Sequence, residues 1–440
     1  MACGSRVLAL LVSSMEQSLE YRLPLKRPRT WVREVPVVAT EGPKIAFKLL
    51  LLFLLTLYSN IAIIYKDQLD AYRPALVIAV AALFMMVVEL CQKRQGFRLM
   101  WPQGAMLIAF LGVCTVSTFG AIYVRHAFEQ TSEFAKIVLV YLLLENVITS
   151  ESRLRKVFFT MVLGGLFPAL GTIYNYRSGI FYESTRAGWR GIFRNPNDDA
   201  YALIILIPLV LALASKSGKL MRIALWTVIP VYLLAIFLTF SRGGLIGLFA
   251  MLALTGWKQK SIVIKTAMVA ALLLGLVGIA MFWNRDTGSF TNIKGDTTVR
   301  QRLATFRAGG LMFMHNPLLG VGPGDSMVAY PLYVPKEAHC GCQDQLVVHN
   351  SFIQVLSETG IFGIIPFIIL IFSSLYQAWT LEKGPVGTYA LALELALVGF
   401  VMCSLSGGFA YTWWPYLLAG MTASTKRIAR SMTTEGEHAV

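Results

Sequence analysis

Long apolar runs, separated by short polar intervals, set the pattern of this chain. A membrane helix needs about 20 mostly apolar residues. The runs predict spans at Ile45–Tyr65, Pro74–Cys91, Gly104–Tyr123, Thr131–Ile148, Val157–Tyr174, Ala200–Ala214, Ile223–Phe240, Leu245–Trp257, Ile262–Trp283, Ile361–Trp379, Tyr389–Gly407 and Thr412–Ser424. The expected fold is an all-α polytopic membrane protein of about twelve transmembrane helices. Two polar intervals, 175–199 and 284–348, are long for loops in a compact protein, and long irregular loops usually carry function. Inside the second, Val299–Met314 has helical periodicity and Pro317–Gly324 (PLLGVGPG) reads as turns. The stretch HNSFIQVLSETG, His349–Gly360, then leads into the next apolar run. Residues 349–359 predict a short amphipathic helix with His349, Phe352, Ile353 and Leu356 on one face.

Charge adds an orientation. Of 440 residues, 56% are hydrophobic and only 14% charged, with net charge +15, where a soluble domain would carry about 25% charged. The Lys and Arg are spread over short intervals, not pooled on one soluble module, which argues against nucleic acid as partner. With a cytoplasmic N-terminus, the inside loops hold Lys93, Arg94, Arg98, Arg153, Arg155, Lys156, Lys216, Lys219, Arg222, Lys258, Lys260, Lys265 and Lys383, as the positive-inside rule requires. The expected division is a basic cytoplasmic arm over 1–44, spans one to nine over 45–283 with outer loop 175–199, a large outer loop over 284–360, spans ten to twelve over 361–424, and a cytoplasmic tail over 425–440. Both termini are expected in the cytoplasm. The arm carries Arg22, Lys26, Arg27, Arg29 and Arg33 and fits anionic-lipid contact. Either Met1 or Met15 fits as the start.

The outer loops break the charge rule, so their basic residues need another reason. Arg186, Arg190 and Arg194 recur every four residues, followed by the Asn195-Pro196-Asn197 turn and by Asp198, which is placed to cap a helix starting near Ala200. Guanidinium donors match phosphate oxygens in pairs, and Trp189, Phe193 and Tyr201 suit a membrane interface. The plain alternative is a headgroup-anchoring loop. Arg242, in Ser241–Gly244, sits against two apolar runs, where an arginine needs a partner or a polar cavity. Arg300, Arg302 and Arg307 open the helical segment of the large loop. His349 is the side chain suited to take a proton near neutral pH. His339, Cys340, Cys342 and His349 are zinc-ligand types, but the spacing is cramped for a tetrahedron. Asp198–Asp199 is a thin divalent-ion candidate.

GIFRNPN at Gly191–Asn197, SRGG at Ser241–Gly244, the run from Arg300 to Gly324 ending NPLLGVGPG, and HNSFIQVLSETGIFG at His349–Gly363 together resemble the O-antigen ligase and polymerase superfamily of bacterial inner-membrane proteins. The resemblance implies a GT-C-like glycosyltransferase in lipopolysaccharide biosynthesis. Its expected donor is an undecaprenyl diphosphate-linked O-antigen and its expected acceptor lipid A–core oligosaccharide, with transfer at the periplasmic face, inverting and independent of metal or other cofactor. By the same resemblance His349 is the essential histidine, with Arg190 and Arg242 beside it as catalytic residues. Arg186, Arg190, Arg194, Arg242, Arg300 and Arg302 are the candidates for holding the diphosphate. Within the superfamily the pattern is most similar to the ligases. The rivals are the polymerase and, from another class, a polyprenyl-glycan transporter or flippase, for which Lys136, Glu145 and Glu394 would be the intramembrane charges.

Overall fold

In the computed structural model, residues 42–61, 73–182, 185–258, 297–334 and 345–438 are described, with positions 260–263, 265–266, 268–270 and 273. The elements among them are helices: α1 (Ile45–Ser59), α2 (Pro74–Gln92), α3 (Gln103–Phe119), α4 (Val124–Val147), α5 (Glu151–Arg177), α6 (Pro196–Ile204), α7 (Ile207–Ser215), α8 (Lys219–Leu238), α9 (Arg242–Lys258), α10 (Thr297–His315), α11 (Ser326–Tyr333), α12 (Ser351–Leu381), α13 (Gly387–Ser404) and α14 (Trp413–His438). Six described segments are long and apolar enough to cross a membrane: α2, α5, the α6–α7 pair, α8, α12 and α13. The protein is thus a multi-pass helical membrane protein. Its lipid-facing surface is visible on α2, where Val77, Val80, Phe84 and Val87 stand exposed at helical spacing. The ninth expected span, Ile262–Trp283, falls largely outside the described residues, as do the N-terminal arm over 1–41 and His339, Cys340 and Cys342.

The helix ends explain how the bundle is held. The first N–H groups of a helix have no partner inside it. In α1 they are met from another helix: Glu89 of α2 accepts from the backbone N–H of Lys44 (2.7 Å), Ile45 (3.1 Å) and Ala46 (3.0 Å). At the same end Lys93 and Arg153 both donate to the Gly42 carbonyl, at 3.0 and 2.9 Å, and Arg427 donates to that of Ile148. These basic residues were all predicted for one side, and they meet at one end of the bundle. Between helices, Lys258 of α9 bridges Glu394 of α13 (2.5 Å) and Glu382, so one of the three charges of the transporter reading, Glu394, is neutralised within a structural contact.

At the opposite end two sequence motifs interlock. Backbone N–H groups of Val321 and Gly322 donate to the carbonyls of Ser357 and Glu358 (2.9 and 3.0 Å), and Ile361 N–H donates to Pro317 O (2.9 Å). The PLLGVGPG turns therefore close over the point where α12 kinks. The kink residue, Gly360, has φ 63°, and a Cβ there would lie 2.3 Å from the Leu318 carbonyl. Only glycine fits both demands.

Two local expectations are corrected. The helix after the arginine loop starts at Pro196, and its cap is Asn195, whose side chain accepts from Asn197 N–H (2.8 Å); Asp198 lies inside the first turn. Proline at the first helical position sets this start, because it lacks only an N–H that would be unmatched anyway. Likewise α12 starts at Ser351 with Asn350 as cap, accepting from Phe352 and Ile353 N–H (2.9 and 3.0 Å), so His349 precedes the helix. The more buried side of the segment is the polar one: Ser351, Gln354, Ser357 and Glu358 are buried, while Phe352, Ile353 and Leu356 are half-buried.

Candidate functional site

Arg186 organises the site. It is 4% exposed, its Nε donates to Thr239 O (2.9 Å) and its Nη2 to Asn197 Oδ1 (2.7 Å). The same Asn197 oxygen accepts from Ser241 Oγ (2.8 Å), and Ser241 Oγ accepts from Gly244 N–H (3.2 Å). One guanidinium thus ties the arginine loop, the end of α8, the start of α6 and the SRGG turn into a single rigid unit. Its planar fork, bonding two acceptors in fixed directions, is what an ammonium could not copy. Gly243 is required beside it: a Cβ there would fall 2.0 Å from Ser406 Oγ and 2.2 Å from the Tyr201 hydroxyl, which face each other at 3.1 Å.

His349 is the other pole. It lies in an extended strip, 345–350, that runs beside residues 405–409; Ser351 Oγ donates to Gly407 O (2.8 Å) and accepts from Phe409 N–H (2.8 Å). Burial, then the positive charges of Arg302 and Arg186, pull the imidazole down to about 4 from its ordinary 6.5. The ring is neutral at physiological pH and holds a lone pair for an incoming proton. Arg302, on α10, is half-buried, and its Nε is enclosed without a hydrogen-bond partner among the described residues. An enclosed guanidinium donor of this kind is suited to an anionic acceptor.

The other predicted arginines are placed differently. Arg242 is half-buried as the first residue of α9, directly after Ser241. Arg190 and Arg194 are exposed, their guanidinium groups lying against the rings of Trp189 (5.5 Å) and Tyr182 (5.4 Å), and Arg300 is exposed on α10. The four-residue spacing of 186, 190 and 194 does not put them on one face, because the loop from 185 to 190 is not helical: Ala187 N–H donates to Leu238 O and Trp189 N–H to Phe193 O. Asp199 is buried against the Thr172 hydroxyl. Among the described residues no three His, Cys, Asp or Glu side chains gather as a metal site.

Sequence reasoning gave no site role to Asn197, Ser241 or Ser406. Two of the three lie in the quoted motifs, and that was the available signal; Ser406 lies in the stretch before α14 and had none.

A bundle of helices long and apolar enough to cross a membrane, with arginines and a histidine brought together at one end, defines a multi-pass helical membrane protein. Residues 223–368, about a third of the chain, match the family model described as O-antigen ligase. The chain carries a domain of the O-antigen ligase superfamily, a glycosyltransferase-like family. That stretch contains Arg242, Arg300, Arg302 and His349; Arg186, Arg190 and Arg194 lie outside it. No curated protein matches the chain.

Proposed function

We propose that the protein is an O-antigen ligase of the bacterial inner membrane. It transfers a glycan from undecaprenyl diphosphate to a hydroxyl of lipid A–core at the periplasmic face, without a metal ion. The observation that carries this reading is a neutral, desolvated His349 beside the charges of Arg302 and Arg186. An imidazole held neutral by flanking cations is ready to act as a base, and the same cations are ready for a diphosphate. When the diphosphate binds, its negative charge offsets theirs, and the imidazole gains basicity at the moment a proton must be taken.

In the reaction, His349 removes the proton of the acceptor hydroxyl as the oxygen attacks the anomeric carbon. The bond from that carbon to the diphosphate oxygen breaks, and undecaprenyl diphosphate leaves. In-line displacement inverts the anomeric centre. Arg186 and Arg302, with Arg242 beside the SRGG turn, stabilise the charge that grows on the leaving oxygen, a task worth several kcal/mol in a desolvated site. Arg190, Arg194 and Arg300 are exposed cations suited to drawing the anionic headgroup in. The diphosphate linkage already supplies the activation.

The test is transfer by purified protein, with lipid-linked glycan and lipid A–core in excess chelator, for wild type and His349→Ala. Wild type is expected to give a higher-mass lipopolysaccharide, and His349→Ala none. Extension of the lipid-linked glycan in place of that product would make the protein the polymerase of the same superfamily. Flux across sealed vesicles with no covalent product would make it a transporter.

A further inference from the structure

Beside the His349 strip lies a polar recess that the transfer chemistry does not use. It measures about 270 Å³ and is lined by His126, Gln130, Ser326, Gln354, Glu358 and Tyr411, with Val347, two residues before His349, at its edge. The floor is rigid. Glu358 is fully buried and accepts from Gly324 N–H (2.8 Å), Ser326 Oγ (2.5 Å) and Gln354 Nε2 (3.4 Å). The wall is equally fixed. Asp325, also fully buried, accepts from Tyr123 N–H (2.7 Å) and meets His126 Nδ1 at 2.8 Å, so the imidazole is oriented and its Nε2 is the nitrogen that Asp325 does not engage.

The chemistry of this lining is the opposite of the arginine cluster. Among the described residues no lysine or arginine lines it and its one acidic side chain is the buried Glu358, so it disfavours phosphate. Two amides, three hydroxyls (Ser326, Tyr411 and Thr412), a carboxyl group and an imidazole offer both donors and acceptors, which suits a ligand whose groups both donate and accept. Sugar hydroxyls do so. The volume falls just below the usual range for ligand pockets, about 300–1,000 Å³, which limits the occupant to roughly one ring. The recess and the catalytic strip are also joined: a Cβ on Gly408, which lines the recess, would stand 2.7 Å from Val348 O.

We propose that this recess is a monosaccharide subsite, binding one uncharged, hydroxylated pyranose ring of a glycan substrate through Gln130, Gln354, Glu358 and His126. The proposal rests on the glycosyl-transfer reading for its role, and on the recess alone for its ligand. It divides the work between two neighbouring sites: the cationic one takes the diphosphate and the one without lysine or arginine takes a sugar. Whether that sugar belongs to donor or acceptor is what kinetics separates.

The variants are Gln130→Leu, which removes an amide, and Met327→Trp, which fills the recess from α11, with Glu129→Gln on the exposed side of α4 as control. Each is first matched to wild type in melting temperature. In steady-state transfer, Gln130→Leu and Met327→Trp are expected to raise KM for one glycan substrate about tenfold or more, as lost hydrogen bonds to a bound ring would. The kcat, the KM of the other substrate and the Glu129→Gln control stay within about twofold. The substrate affected names the owner of the ring. Both KM values unchanged, or a fall in kcat alone, overturns the proposal. If wild type performs no transfer, the ligand is tested directly by saturation-transfer NMR on the full-length protein with millimolar methyl hexopyranosides. Saturation by wild type that weakens in both variants supports the subsite independently of the reaction; no saturation by wild type overturns it.

Discussion

At the scale of single residues, the acid–base behaviour of His349 is set by what surrounds it. Burial is the largest cause of its lowered basicity, followed by Arg302 and Arg186. The sign of a mutation follows. Removing a cation stabilises the imidazolium, so Arg302→Gln raises the pKa, while the remaining burial keeps it under the ordinary 6.5. The pH dependence of kcat/KM reports the free enzyme. For wild type its acid limb is expected near pH 4, where the imidazole becomes protonated and can no longer accept. In Arg302→Gln the limb moves to higher pH, while kcat falls by about 10²–10³ for one lost leaving-group donor. An acid limb at the same pH in both proteins would separate Arg302 from His349. His349 was readable from its motif as a candidate, and so was the idea of arginines around it. Which arginines was not. The sequence pattern puts 186, 190 and 194 on equal footing, and only the loop's non-helical path turns Arg186 inward to Thr239 and Asn197 while Arg190 and Arg194 rest on aromatic rings.

At the scale of elements, the motifs turn out to be joints. PLLGVGPG was readable as turns, and HNSFIQVLSETG as a helix ending at a glycine. Their mutual hydrogen bonding was not readable, since nothing in a linear pattern pairs residues 317–322 with 357–361. The same limit hid Asp325 and His126, which lie about 200 positions apart and meet only in the fold. Gly360 is where this joint can be tested. At φ 63° an alanine is strained by about 1–3 kcal/mol, before the contact of its Cβ with Leu318 is counted. Gly360→Ala is therefore expected to lower the melting temperature of the purified protein and to reduce transfer with it. Gly112→Ala, in α3 with open space around the new methyl, is expected to hold or raise it, as an ordinary helix glycine should. Equal effects from the two would mean that the interlock does not anchor the site.

At the scale of the whole molecule, the two ends of the bundle differ in what their charges do. At one end Lys93, Arg153 and Arg427 donate to backbone carbonyls of neighbouring segments. They serve as structural ties as well as topology signals. At the other end Arg186 and Arg302 converge on a histidine, and Arg190, Arg194 and Arg300 stay exposed. Cationic loops resist translocation, so the proposed orientation puts the end rich in short basic loops in the cytoplasm and the site in the periplasm, together with the loop that carries Arg125. That loop is tied to the site end by Ile122 N–H to Val321 O (3.0 Å) and Tyr123 N–H to Asp325 (2.7 Å). Cysteine scanning decides the orientation. The six native cysteines are first replaced, and a single one is then placed at Arg125, which is 94% exposed, or at Lys383, in the turn between α12 and α13. A membrane-impermeant maleimide added to intact cells with a permeabilised outer membrane is expected to label the first and spare the second, with both labelled after lysis. The reverse pattern would put His349 on the cytoplasmic side, away from any lipopolysaccharide acceptor, and would remove the ligase reading along with the orientation. Equal labelling of both in intact cells would mean that the two loops do not lie on opposite sides of the membrane, and the bundle would need a different threading.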